Sequence, residues 1–335
     1  MNSTKIITFD YLNQFNRIHV KITDSFFYRI KGLIKLNYKS IKKYSKFLGV
    51  SYGTIDWQFR KNVYHPFYRI LIIIKDLNIP KEELYLNILG FYHWGSHNNC
   101  EVKIPMELII DEFFVEGYAL YLAEGDTGFS GKTRPRQFRF TNSNVNVINH
   151  MITWLNKYFD GNPSYILVNI PSEQKELDHS YTLIQINHDN LRFVNGYYNK
   201  IVKYNLLCER AVLIDLLLSI ESTIKELCSK DPKLAAAYIR GMMIGEGTAY
   251  FNKSRYVRIE MKNEKEIKYI HRLLTMLGFD CKPVLRSNRH NMWSLYIGAK
   301  QLDKFAKEIG FGVHQERQQI LEQGVNKVLK VNQYC

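Results

Sequence analysis

The chain has 335 residues and a formal net charge of +14, from 46 lysine and arginine residues against 32 aspartate and glutamate residues. This length indicates two or three domains, and the charge favours a polyanionic partner, nucleic acid ahead of an acidic membrane surface. Five widely spaced cysteines without CxxC or zinc-like spacing exclude a zinc centre, and the short apolar runs exclude a membrane span and a secretory signal, which predicts a cytoplasmic protein.

Basic residues are most concentrated in the first hundred residues, which predicts a separate N-terminal module, 1–100. Within it, Ile41, Tyr44 and Leu48 share a helical face, Gly49 breaks the helix, and Ser51 is a good N-cap for a second helix. This order is typical of a helix-turn-helix in an all-α domain, and an ordinary helical hairpin is the alternative. Further helices are predicted at 65–77 and 80–89, followed by a connector at 90–99. The second helix of the motif is expected to present side chains that reach base edges or phosphates, namely Tyr52, Thr54, Asp56, Gln58 and Lys61.

Two apolar helical segments further along the chain carry small residues one turn apart. The first segment has Ala119 and Ala123, and the second has Ala237, Gly241 and Gly245. Because positions i and i+4 share a helix face, a row of small residues allows two helix backbones to approach closely. Each segment ends in Glu-Gly, at 124–125 and 246–247, where the glycine suits a cap in the left-handed conformation.

The terminal glutamates of these segments, Glu124 and Glu246, face the negative ends of their helix dipoles, where a carboxylate gains nothing locally. If the small faces pack on each other, the carboxylates come side by side, and like charges at that distance need a cation or a raised pKa. Oxygen ligands and a hard divalent ion, typically Mg²⁺, fit this situation. The alternative is two amphipathic core helices with solvated ends, but the recurrence of the same pattern favours the acid pair.

A similar order of predicted elements follows each segment. The first copy has a basic hairpin at 131–140, a helix at 144–159, strands at 164–170 and 180–187, and a helix that starts near 189. The second copy has a strand at 254–261, a helix at 264–277, strands at 281–287 and 292–298, and a helix at 301–309. An internal repeat of two copies predicts two units, 106–222 and 227–330, related by a pseudo-twofold axis.

The pair of segments resembles the two motifs of a single-chain LAGLIDADG homing endonuclease, and residues 239–248 are the better match. Both copies depart from the family pattern at an earlier acidic position, which is occupied here by Leu122 and Ile244. The family does not need that acid for catalysis. The resemblance covers about 106–330 and implies an α+β fold of two pseudo-symmetric αββαββα units, whose antiparallel sheets form a saddle over DNA, beside the N-terminal helix-turn-helix module.

The resemblance also implies a set of site residues. The acids that the family uses to bind metal fall on Glu124 and Glu246, and the main-chain carbonyls of Ala123 and Gly245 are the extra ligands of Mg²⁺ or Mn²⁺. His314 is the candidate for a side chain that orders the water network, so the predicted catalytic residues are Glu124, Glu246 and His314. The implied DNA contacts are basic side chains on the strand hairpins, namely Lys132, Arg134, Arg136, Arg139, Lys253, Arg255, Arg258, Lys282, Arg286 and Arg289.

The function implied by the resemblance is that of a monomeric, site-specific double-strand DNA endonuclease, which hydrolyses phosphodiesters at a long recognition site. The alternative is the same scaffold without cleavage, acting as a transcription regulator on DNA or as a maturase on intron RNA. Both glutamates are present, which argues against a decayed site, while the attached helix-turn-helix keeps the regulator open.

Overall fold

A computed structural model describes residues 5–8, 18–94, 99–101, 107–126, 137–159, 164–171, 179–196, 200–208, 211–252, 254–287 and 289–332. The chain divides into two compact units. One unit comprises Ile7–Leu108, and the other comprises Met1–Ile6 with Ile109–Cys335. Among the helices of the described ranges, none combines the length and the apolarity that crossing a membrane requires.

The N-terminal unit combines helices with a sheet. Its helices are α1 (Asp24–Tyr38), α2 (Ile41–Phe47), α3 (Tyr52–Arg60), α4 (Phe67–Asp76) and α5 (Lys81–Leu86). The strands up to the division between the units are β1 (Lys5–Thr8), β2 (Ile18–Ile22), β3 (His65–Pro66), β4 (Ile88–Trp94), β5 (Asn99–Glu101) and β6 (Glu107–Ile110). Strands β2 to β5 form an antiparallel sheet in the order β3-β2-β4-β5, and β1 pairs with β6.

This sheet corrects the prediction of an all-α N-terminal module. Residues Ile18–Ile22 alternate between buried and half-buried side chains, as expected of a strand with one face on a core. The predicted connector at 90–99 is also wrong in its first half, because Gly90 to Trp94 belong to β4 and pair with β2. The aromatic residues in this stretch therefore build a strand, and Phe91 packs in the core.

Helices α2 and α3 lie where the sequence places the two helices of the motif, joined by Leu48–Ser51. Gly49 has φ +66°, a conformation that favours glycine, and the Ser51 side chain accepts a hydrogen bond from the Thr54 N–H as an N-cap. The buried face of α3 is formed by Ile55, Gln58 and Phe59.

The second unit contains both segments that the sequence predicts to be copies of a repeat. The first copy comprises α6 (Glu112–Glu124), β7 (Gly125–Asp126), β8 (Phe138–Asn142), α7 (Val145–Phe159), β9 (Ser164–Ile170), β10 (Leu191–Asn195), β11 (Lys203–Cys208), α8 (Ala211–Ser219) and α9 (Glu221–Cys228). The second copy comprises α10 (Pro232–Glu246), β12 (Gly247–Phe251), β13 (Arg255–Met261), α11 (Glu264–Met276), β14 (Val284–Leu285), β15 (Trp293–Gly298), α12 (Leu302–Glu308) and α13 (Gln315–Asn332).

Each copy builds its own sheet. The first has the order β10-β9-β11-β8-β7, and the second has the order β12-β13-β15-β14. If the edge strand β10 is left out, both sheets place the strand after the motif helix at one edge and the last strand of the copy in the interior. The second copy follows the expected αββαββα order through α12. A symmetry axis between the copies stays a prediction.

The first copy differs from its prediction after β9. The predicted strand at 180–187 is wrong, because residues His179–Leu183 form a 3₁₀ turn. The predicted helix near 189 is also wrong, because Leu191–Asn195 form β10, which pairs in parallel with β9. The interior strand of this sheet is instead β11, which bonds to both β8 and β9. Long-range pairing has overridden the local alternation on which the prediction was based.

Candidate functional site

The two motif helices, α6 and α10, meet along their small residues. A Cβ atom built on Gly241 would lie 2.2 Å from the carbonyl oxygen of Glu116 and 2.9 Å from the Cβ of Ala119. One turn later, a Cβ atom on Gly245 would lie 2.5 Å from the Cβ of Ala123. These positions tolerate only hydrogen, because the backbones are already in contact. The small-residue seam expected from the sequence therefore brings the helix ends together.

Both helices end in Glu-Gly, but the glycines do not adopt the expected left-handed cap. Gly125 has φ −79° and ψ 148°, and Gly247 has φ −78° and ψ 154°, so both continue directly into strands. Glycine is required here for space. A Cβ atom would lie 2.4 Å from the carbonyl oxygen of Tyr121 at the first site and 2.5 Å from that of Met243 at the second.

The seam places the terminal carboxylates within each other's field. A Cβ atom on Gly245 would lie 3.1 Å from the Cγ of Glu124, so this side chain crosses the end of α10. Burial and, after it, the negative charge of Glu246 raise the pKa of Glu124 to about 7, against the opposing positive charges of Arg317 and Lys203. Glu246 is more exposed, and its pKa is also raised by desolvation and lowered by Arg317. The two acids therefore form one electrostatic site.

Arg317, on α13, makes hydrogen bonds to the end of α10 beside the two acids. Its Nη1 donates to three successive carbonyl oxygens at the end of α10, those of Met243 at 3.1 Å, Ile244 at 2.7 Å and Gly245 at 3.0 Å. A cation there caps the helix and offsets the negative end of its dipole. The carbonyl of Gly245, predicted as a metal ligand, thus already accepts a hydrogen bond. The only sequence signal for Arg317 is the Glu-Arg pair repeated at 209–210 and 316–317.

His314 lies immediately before α13 and is buried. Burial and, after it, the positive charge of Arg317 lower its pKa to about 4. Within the described ranges, its Nδ1 atom has no hydrogen-bond partner. The imidazole is therefore neutral at pH 7, and its unpaired Nδ1 atom can form a hydrogen bond beside Arg317.

The outer face of the second sheet carries several of the predicted DNA contacts. Arg258, Arg286 and Arg289 all approach Glu260, while Arg255 is half-buried at the start of β13 and Lys282 is exposed before β14.

On the first sheet, Arg139 lies 4.0 Å from the carboxylate of Asp126. Four other predicted contacts lie outside the described residues, namely Lys132, Arg134, Arg136 and Lys253.

In the N-terminal unit, helix α3 exposes a different set of side chains from the predicted one. Tyr52, Thr54 and Lys61 are exposed, and Asp56 is half-buried and pairs with Arg60. Gln58 is buried and accepts a hydrogen bond from Arg69, so its prediction as a DNA contact is wrong, because it shares the inner face with Ile55 and Phe59. Two exposed residues that sequence reasoning missed are Trp57 and Arg60.

Comparison with protein families gives a match in the second copy. Residues 233–310, which include most of α10 and end after α12, match the LAGLIDADG-like domain. No curated protein matches the chain.

Comparison with solved structures gives matches over part of the chain. The homing endonuclease I-DmoI in complex with DNA and Mn is 19% identical, with 61% of this chain and 99% of that chain covered and a TM-score of 0.40. The N-terminal LAGLIDADG domain of DUF199/WhiA is 14% identical, with 61% and 84% covered and a TM-score of 0.37. Full-length DUF199/WhiA from Thermatoga maritima is 16% identical, with 66% and 60% covered and a TM-score of 0.40.

Proposed function

We propose that the protein is a site-specific double-strand DNA endonuclease of the homing type, which hydrolyses one phosphodiester in each strand. The observation that carries the proposal is the glycine–alanine seam between α6 and α10, since it delivers Glu124 and Glu246 to one place against the repulsion of their charges. A fold selected for stability alone has no need of two carboxylates at that point. The LAGLIDADG-like domain at 233–310 supports the same assignment.

The acid pair suits a divalent metal ion such as Mg²⁺ or Mn²⁺. Within the part of the chain that the structure describes, no group of three or more His, Cys, Asp or Glu side chains is arranged to hold an ion. Two carboxylates are nevertheless enough for Mg²⁺, which usually keeps several of its waters. Glu124 and Glu246 would hold it, with the carbonyl of Ala123 as a further oxygen ligand. When bound, the ion would polarise the phosphate and lower the pKa of a water.

The protein's own residues prepare this site. Arg317 holds the last turn of α10 through three carbonyls, and its positive charge favours ionised Glu246 and Glu124. We propose that it also favours the approach of a phosphodiester. His314, neutral beside it, is the candidate that orders water. The arginines on the outer face of the second sheet and the exposed side chains of α3 would bind the duplex along its length.

The test is cleavage of a duplex that joins the sequences flanking the protein's own gene, with Mg²⁺ present. The double variant Glu124→Gln with Glu246→Gln should lose cleavage and keep binding, because only the ionised carboxylates are removed. A matched control is Glu226→Gln with Glu264→Gln, which changes the net charge equally at exposed helical acids. Retained cleavage by the first double variant would refute the assigned metal residues.

A second candidate is a DNA-binding regulator that does not cleave, and Arg317 is the observation that favours it. This arginine donates a hydrogen bond to the Gly245 carbonyl and supplies a positive charge beside both acids, as a metal ion would. Equal binding of a specific duplex in EDTA and in Mg²⁺, without cleavage in either, would support the regulator. Intron RNA stays an alternative partner, and a cytoplasmic monomer stays our proposal for its state and location.

A further inference from the structure

Alternation along β13 separates two faces of the second sheet. Val257 and Ile259 point to the core and are buried, so Arg258 and Glu260 point to the outer face. In the antiparallel register, Glu260 stands opposite Ser294 on β15. A carboxylate on a face otherwise rich in arginine and tyrosine needs an explanation, because it weakens the attraction to a polyanion.

Glu260 accepts hydrogen bonds from three side chains and forms an ion pair with a fourth, Arg258. Arg286 Nη1 lies 3.0 Å from Oε1, and Ser294 Oγ donates to the same oxygen at 2.9 Å. Arg258 Nη2 lies 3.0 Å from Oε2, and Arg289 Nη1 lies 3.4 Å from it. The Glu260 side chain is only 11% exposed. Since a carboxylate has about four acceptor positions, this one is saturated by neighbours from three segments of the chain.

The three arginines are not held equally. The side chains of Arg258 and Arg286 are 20% and 21% exposed, whereas that of Arg289 is 56% exposed and makes the longest contact. Tyr296 adds a second constraint on the inner pair, because its hydroxyl accepts from Arg286 at 2.6 Å and its ring lies 6.0 Å from the Arg258 guanidinium. Two arginines are thus fixed from two sides, and the third is held loosely.

We propose that Glu260 is a specificity-determining positioning residue for DNA. It holds Arg258 and Arg286 in the orientation that reads base edges, guanine O6 and N7 above all, and leaves Arg289 to neutralise phosphate. An arginine loses rotamer entropy when it is ordered, and ordering it before binding removes that cost from the specific complex. One carboxylate against three guanidiniums leaves the cluster net positive. The inference rests on the proposed function through its DNA-binding step alone.

The experiment begins with enrichment of duplexes from a random-sequence library by the full chain in EDTA, followed by sequencing. Dissociation constants are then measured at one salt concentration for the enriched duplex and for its scrambled counterpart. Glu260→Gln should weaken binding of the enriched duplex about tenfold, since one directed base contact is disordered, while the scrambled duplex binds as well or better because a negative charge is lost. The matched control, Glu226→Gln, should leave the ratio of the two constants unchanged.

The outcomes distinguish failure of the proposed DNA binding from failure of the role assigned to Glu260. If the library yields no enriched sequence, the proposal of specific DNA binding fails and the inference with it. If enrichment succeeds but Glu260→Gln leaves the ratio unchanged, or weakens both duplexes equally, the inference is overturned and the proposed function stands. Glu260→Asp, which keeps the charge and retracts the carboxylate, decides the question if Glu260→Gln does not fold. Glu260→Asp should lower the preference for the enriched duplex over the scrambled duplex, without strengthening binding of the scrambled duplex.

Discussion

The α6–α10 pair has glutamate side chains at two places along its length, and their surroundings differ. At one end Glu116 is buried and paired with Arg240, whose Nη1 lies 2.9 Å from Oε2. Two turns along α6, Glu124 faces another carboxylate, Glu246, and burial raises the pKa of both.

The difference lies in where the arginine is directed. Arg240 binds the carboxylate of Glu116 itself and anchors it to the backbone through the carbonyl of Ile309, which accepts from Nε at 2.6 Å. Arg317 donates its hydrogen bonds to backbone carbonyls of α10 and acts on Glu124 and Glu246 only through the electrostatic effect of its positive charge. The first end is therefore a closed structural ion pair. At the second end, within the described residues, neither carboxylate receives a hydrogen bond from a cationic side chain, as expected of ligands for a metal ion.

The largest effect that follows from this comparison is on stability at the closed end. Glu116→Ala should lower the free energy of unfolding by about 3 kcal/mol, because it leaves the Arg240 charge partly buried without its partner. Glu124→Gln should not destabilise the protein, since it removes a repelled charge. Urea unfolding of both variants measures this, and a double-mutant cycle with Arg240→Ala isolates the pair. Equal losses of unfolding free energy in the Glu116 and Glu124 variants would show that the two carboxylates are held in the same way.

A smaller effect is expected from the seam between the two ends. Gly241→Ala places a methyl group 2.2 Å from the carbonyl oxygen of Glu116, so α6 and α10 must move apart, at a cost of about 1–3 kcal/mol. The separation should also reduce cleavage, because the acid pair depends on the same approach. Gly298→Ala is the control, since no atom lies within 4 Å of its added Cβ. Normal stability and cleavage of Gly241→Ala would mean that the seam does not position the acids.

The seam and the acids could be predicted from sequence because they depend on local spacing, with small residues at i and i+4 and a glutamate at each helix end. Helix α7 could be predicted in the same way, since Ile148, Met151 and Leu155 repeat at helical intervals, and all three are buried.

Arg317 could not be predicted in the same way, because its partners lie 72 to 74 residues earlier in the chain and nothing in its neighbourhood specifies them. The N-terminal sheet escaped prediction for a similar reason. Ile18–Ile22 alternates as a strand should, but it pairs with Ile88–Trp94, which is distant in sequence and reads as a connector.

The last effect concerns pH and distinguishes the open end most directly. Glu124 has a folded pKa of about 7, above the ordinary 4.5, so the folded state binds more protons than the unfolded state between these values. Its contribution to stability is thus fully present below pH 4.5 and is lost as the pH rises through 7. The buried histidines act in the opposite direction, since burial lowers the pKa of His150 and His314 and the unfolded state then binds more protons.

The difference between wild type and Glu124→Gln isolates the carboxyl group. In EDTA, unfolding free energies at pH 5 and pH 7.5 should show the wild type losing stability relative to the variant as pH rises, and added Mg²⁺ should reverse that loss in the wild type only. A difference that stays constant across this range would place Glu124 in water, far from Glu246.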